Sequence, residues 1–225
     1  MVSIPYLICA VLSFIPGIVL HEMGHAFAAY KLGDPTARSA GRISFNPIRH
    51  VDPFGTVILP IMLMAVNMPV FGYAKPVPYN PSYFKDPRKG DLIVGLAGPA
   101  ANFIQALAAA GVALALFMFA PLSSWMGNVV FGYFYTLFLP LYALINLYLM
   151  FFNLLPIPPL DGSSIFAFIL PERYLPQYYR VQQYAFPIFI AVVVLVPQVL
   201  HINPFRFYLD ATAGNIWELL FPFMA

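Results

Sequence analysis

Charged side chains are scarce in this sequence, and their scarcity excludes most water-soluble architectures. Only 9% of the 225 residues are Asp, Glu, Lys or Arg, against roughly 25% in an average soluble domain. The net charge is +2 and the basic residues are scattered, so no basic stripe of the kind that binds nucleic acid is present. Cysteine is almost missing. Cys9 stands alone in an apolar run, which rules out an intrachain disulfide and a cysteine-rich metal knuckle. No Lys or Arg precedes that first apolar run, whereas a secretory signal normally opens with a basic region. The run from Ile4 to Tyr30 is therefore expected to span a membrane. No internal repeat, low-complexity tract or soluble linker breaks the chain, which reads as one membrane-embedded domain over 1–225, with a core at 4–170 and a C-terminal part at 184–225.

Apolar residues are abundant, at 61%. About 20 of them in a row cross a bilayer core, and four stretches reach or approach that length: Ile4 to Ala29, Leu92 to Ala120, Val129 to Phe152 and Tyr184 to Leu200. A fifth, Gly55 to Val70, is shorter and contains Pro60 and Pro69. Charge decides its role. If it does not cross, ten of the eleven basic residues fall on one side of the membrane, as the positive-inside bias prefers; if it crosses, they divide four against six. The tail from Pro204 to Ala225 mixes aromatic residues with Arg206, Asp210 and Glu218 and reads as an interfacial amphipathic helix. The expected fold is all-α: a polytopic membrane helix bundle with about four spans, a re-entrant or peripheral segment at 55–70 and a C-terminal interfacial helix.

Ionisable groups are costly in hydrocarbon and mark function or a partner. His21, Glu22 and His25 nevertheless occupy one turn of the first apolar run, in the pattern H-E-x-x-H. On a helix, residues i and i+4 point the same way. Both imidazoles then reach one metal, and the adjacent glutamate reaches a metal-bound water. A packing role for the two histidines, with a glutamate neutralised by burial, is the plainer alternative. Catalytic zinc usually has three protein ligands and an open position, so a third must come from elsewhere. The candidates are His50, Asp52, Asp161, His201 and Asp210.

Asp161 is the best placed of these. It follows the prolines of "FNLLPIPPLDGSSIF", which forbid a regular helix just where the third span ends. It also suits an ordinary N-cap for the turn that follows. The H-E-x-x-H turn and Asp161 both lie near C-terminal ends of spans, so they meet only if the first and third spans are parallel. That requirement again forbids a crossing at 55–70.

"HEMGH" in an apolar helix, with "NLLPIPPLDG" downstream, resembles the site-2 protease family of intramembrane zinc metalloproteases. "GLAGPAAN" and "FNPIRHVDPFGT" are similar to its short prokaryotic form without PDZ or CBS domains. The resemblance covers most of residues 15–170. It implies one zinc ion per chain on His21, His25 and Asp161, with Glu22 activating water and Asn153 as a hydrogen-bond donor to the oxyanion. An interhelical hydrogen bond is an equal account of Asn153.

Asn102, Gly95 and Gly98 are expected to serve close helix packing, and His50 and Asp52 to form a loop pair. The implied reaction is hydrolysis of peptide bonds in or near a transmembrane helix of a membrane-protein substrate. It would take place in the lipid bilayer of the cytoplasmic membrane, in a wet pocket near the cytoplasmic face framed by residues 31–54 and 153–161. The competing class is a metal-binding transporter or channel without protease activity, for which two related halves with paired broken helices would be expected.

Overall fold

A computed structural model describes residues 3–58, 62, 73–185, 187–189, 196, 199 and 203–224. Among them the regular structure is helical, with no strand. Three helices are long and apolar enough to cross a membrane: α1 (Ile4–Lys31), α2 (Pro87–Phe119) and α3 (Val129–Asn153). The chain is a multi-pass membrane protein. Each helix starts on a side-chain cap: Ser3 accepts from the Tyr6 amide, Asp86 from Lys89 and Asn128 from Phe131. Such caps satisfy amides that have no partner inside the helix.

Small residues let the helices approach closely. Ala106, Ala109, Ala110 and Ala113 of α2 pack with Tyr135, Leu139, Ala143 and Leu147 of α3 in the main buried cluster. On α1, a Cβ at Gly24 would stand 2.7 Å from the Ala97 carbonyl, and one at Gly17 would stand 3.1 Å from Leu149. Without an appreciable hydrophobic force between helices in lipid, such close backbone contact is a principal source of association.

The hydrogen bonds fix the directions. Along α1, Gly17 pairs with Asn102 of α2 and His25 with Val94, so the two helices are antiparallel. Along α3, Tyr142 pairs with Gln105 and Asn146 with Asn102, so α3 is antiparallel to α2 and parallel to α1. The chain between α1 and α2 therefore makes no net crossing, as the charge distribution requires. The Tyr73 amide donates to the Gly55 carbonyl at 3.1 Å, and Thr56 Oγ1 donates to the Tyr73 carbonyl at 2.8 Å. The excursion thus begins and ends at one place; of the expected segment 55–70, residues 59–61 and 63–70 lie outside the described residues.

Beyond α3, the tail alone departs from expectation. The rings of Phe189 and Phe205 both pack on Phe152, with centroids 5.9 and 6.3 Å away. Most of the expected span 184–200 lies outside the described residues. The tail (Pro204–Leu209, a π turn at Asp210–Gly214, then Asn215–Leu220) follows α3 lengthwise. Tyr208 Oη donates to the Phe151 carbonyl and Trp217 Nε1 to the Pro140 carbonyl. Phe223 then reaches Phe117 near the far end of α2. An interfacial helix was expected from the mixed polarity. The tail can instead pack along α3 because Arg206 and Asp210 pair with each other at 3.5 Å while Phe221 is almost fully buried.

A short helix, α4 (Gly162–Ile169), lies against α2 and brings Asp161 to the inner ends of the long helices.

Candidate metal centre

His21 and His25 are one turn apart on α1, and both imidazoles are buried. His21 Nε2 and His25 Nε2 are 3.0 Å apart, and Asp161 Oδ2 lies 3.1 Å from the first and 3.4 Å from the second. Among the described residues these three form the one His, Cys and carboxylate group close enough to share a metal ion. Ligand atoms about 2.0–2.1 Å from a tetrahedral zinc stand about 3.3 Å apart. The observed triangle is close to that spacing.

The outer partners decide what the triangle can hold. His21 Nδ1 faces Asn102 Oδ1, and His25 Nδ1 faces the Val94 carbonyl at 2.7 Å. Both partners are acceptors, so each Nδ1 carries a proton, and in the neutral imidazoles each Nε2 presents a lone pair. Asp161 Oδ2 is buried without a hydrogen-bond donor. Three acceptors therefore converge in a buried space, an arrangement that repels itself unless a cation sits between them. The donor set fits zinc.

Asn102 was expected to serve packing, yet it orients His21. Its amide nitrogen donates to the Gly17 carbonyl at 3.1 Å and to Asn146 Oδ1 at 2.9 Å, which fixes Oδ1 towards the imidazole. Asn146 in turn donates to the Tyr142 carbonyl. The cost of burying a polar group in an apolar helix, which singled out His21 and His25, also applied to Asn102. Gly98 has a second role as well: a Cβ there would overlap both imidazoles.

Asp161 occupies the N-cap position of α4 but makes no side-chain cap bond. Its carboxylate is turned to the histidines instead. Glu22 lines the same cavity, which measures about 1230 Å³. Glu22 Oε2 lies 3.7 Å from Nη2 of buried Arg42, whose guanidinium also donates to the carbonyls of Lys75 and Pro76. Sequence reading missed Arg42, since nothing local distinguishes it from the other loop cations. Asn153 also lines the cavity; its Nδ2 donates to the Leu149 carbonyl at 2.9 Å.

The remaining candidates stay outside the triangle. His50 is buried, with Nε2 2.8 Å from the Ser44 carbonyl, and Asp52 accepts from the amides of Phe54 and Gly55, so both shape the loop. His201 lies outside the described residues, and Asp210 is engaged by Tyr148 and Arg206. Residues 31–54, expected to frame the pocket, do not line it. That wall is formed by Tyr73, Ala74, Pro76, Val77 and Tyr79, an extended stretch tied down by Arg42 and by Asp34, which accepts from the Asn80 amide.

Comparison with known proteins agrees with this geometry. The model of "Peptidase family M50" matches residues 9–196. YwhC of Bacillus subtilis, provisionally named a zinc metalloprotease, is 38% identical over 84% of this chain and 80% of its own length. Rip2 of Mycolicibacterium smegmatis, provisionally named likewise, is 32% identical over 69% of this chain and 54% of its own. The zinc metalloprotease MJ0392 of Methanocaldococcus jannaschii is 30% identical over 76% of this chain and 37% of its own. The chain thus spans most of the Bacillus protein but only about half, or less, of the other two. No solved structure matches it. With two histidines and a carboxylate brought together at the inner ends of apolar helices, and with a family match over most of its length, the chain belongs to peptidase family M50.

Proposed function

We propose that this chain is a zinc metalloendopeptidase that hydrolyses peptide bonds in or next to transmembrane segments of other membrane proteins. The observation that supports it most is the acceptor-only triangle of His21, His25 and Asp161 beside Glu22, in a large cavity among apolar helices. The three residues of the triangle would hold the ion, one per chain. Zinc, when bound, supplies Lewis acidity that acidifies a water and polarises a carbonyl.

The protein's own groups do the rest. Glu22 takes a proton from the attacking water and returns it to the leaving amine. Arg42, 3.7 Å away, holds that carboxylate in place. Asn153 uses one amide hydrogen on Leu149 and keeps the other for the oxyanion, a contact worth about 3–4 kcal/mol in a preorganised site. Asn102 and the Val94 carbonyl keep both imidazoles in the tautomer that faces the ion.

The cavity exceeds the roughly 300–1,000 Å³ of small-molecule pockets, in keeping with an extended peptide as occupant. The ten basic residues from Lys31 to Arg180 lie on the side of the site under this topology, which supports a cytoplasmic-membrane protein with its site near the cytoplasmic face. The test is Glu22→Gln in the purified chain. It should retain zinc and lose cleavage of a model transmembrane peptide; undiminished cleavage removes Glu22 as the base.

A further inference from the structure

Asp161 belongs to none of the three long helices. It precedes α4, whose eight residues must be held in place for the carboxylate to complete the triangle. Two contacts dock α4 on α2. At its N-terminal end, Ser164 Oγ donates to the Asp161 carbonyl at 2.7 Å and sits where a Cβ of residue 95 would be, so Gly95 is the seat. At the other end, Arg88 Nη2 donates to the carbonyls of Ala167, Phe168 and Leu170 at 3.0, 2.8 and 2.6 Å. Its Nη1 lies 3.7 Å from exposed Glu172, and the guanidinium stands over the Phe168 ring. The last carbonyls of a helix have no partner inside it, and a cation there also complements the helix dipole.

Arg88 shares one face of α2 with three other residues that organise the site. Residues 88, 95, 98 and 102 follow at steps of seven, three and four, which keeps them in one stripe. Arg88 and Gly95 hold α4, Gly98 gives room to the imidazoles, and Asn102 orients His21. Helix α2 is thus a common rail for ligands from α1 and from α4.

We propose that Arg88 is a positioning residue for the metal: by clamping the C-terminal end of α4 to α2 it sets where Asp161 stands, and so the affinity of the site for zinc. This rests on the reading of His21, His25 and Asp161 as ligands. Arg88 touches none of them. It acts through a rigid element: Nη2 sits among the three carbonyls while Nη1 faces Glu172, so the two arms of the guanidinium serve different partners.

The test measures Zn²⁺ affinity of the full chain in detergent by competition with a chromophoric chelator, in the wild type, Arg88→Leu, Asp161→Ala and the double variant. Loss of a supporting partner typically costs about 10–100-fold in metal affinity, and that range is expected for Arg88→Leu. In the Asp161→Ala background the same change should cost nothing further. Arg88→Lys keeps the charge but has one nitrogen, which cannot serve the carbonyls and Glu172 together; it should fall between, and it replaces the leucine variant if that does not fold. Cobalt(II) spectra of the Arg88 variants should shift towards that of Asp161→Ala. Wild-type affinity in the Arg88 variants, or an equal loss in both backgrounds, overturns the clamp while leaving the ligand reading intact. Wild-type affinity in Asp161→Ala overturns the ligand reading and the clamp with it.

Discussion

Gly98→Ala adds one methyl group, and two simple expectations for it point in opposite directions. Helix propensity favours alanine over glycine by about 0.8–1.0 kcal/mol in a helix interior. The site says otherwise: the new Cβ would stand 2.6 Å from His21 Cε1 and closer still to His25 Nε2. Both imidazoles would have to move, and overpacking of this kind costs roughly 1–3 kcal/mol. Movement also breaks the Nδ1 contacts to Asn102 and Val94 that aim the lone pairs. A loss of at least 100-fold in zinc affinity is expected, taking the upper end of what disturbed outer partners cost.

Thermal unfolding with and without zinc reads this out. At a free zinc concentration of 100 times the wild-type Kd, binding stabilises the wild type by about 2.7 kcal/mol; a site 100-fold weaker gains about 0.4 kcal/mol. Gly111→Ala is the control, since nothing lies within 4 Å of a Cβ at that position of the same helix. It should keep the full zinc-dependent gain. If Gly98→Ala shows the same gain as Gly111→Ala, the positions of the imidazoles are wrong and the triangle with them.

Two further outcomes are expected. Asn102→Ala removes the acceptor on His21 Nδ1 and leaves the Gly17 carbonyl and Asn146 short of a donor; zinc affinity measured by chelator competition should fall about 10–100-fold, while Gln105→Ala, one turn away and unconnected to the imidazoles, should leave it unchanged. Asp34 is fully buried beyond the end of α1; burial pushes its carboxyl up, but hydrogen bonds from Thr36 and Asn80 outweigh this and hold it below the usual carboxylate range. Its contribution is therefore present above the unfolded value of about 3.9 and is lost as pH falls through the lower folded value. Unfolding of Asp34→Asn between pH 5 and pH 3 should show a shallower loss of stability than the wild type, and an identical slope would exclude Asp34 from the acid transition.

The parity of the bundle was legible in the chain because two independent constraints agreed. The basic residues, and the need for His21 and Asp161 to meet, both demanded that α1 and α3 be parallel, and the Gly17–Asn102–Asn146 contacts have them so. The tail was not legible. Its mixed polarity suits the interface, and only packing of Tyr208 and Trp217 on α3 shows that it runs lengthwise along that helix.

The sequence by itself determined the solvent, the helical class and the two-histidine turn, because these follow from local composition and from the i, i+4 repeat of a helix. Tertiary structure alone decided how the ligands are aimed. A sequence read one span at a time does not show that Asn102, Gly98, Gly95 and Arg88 act together. They become a rail only when α1 and α4 dock on the same face of α2, since a hydrogen bond or a missing Cβ has no function until the partner that uses it is in place.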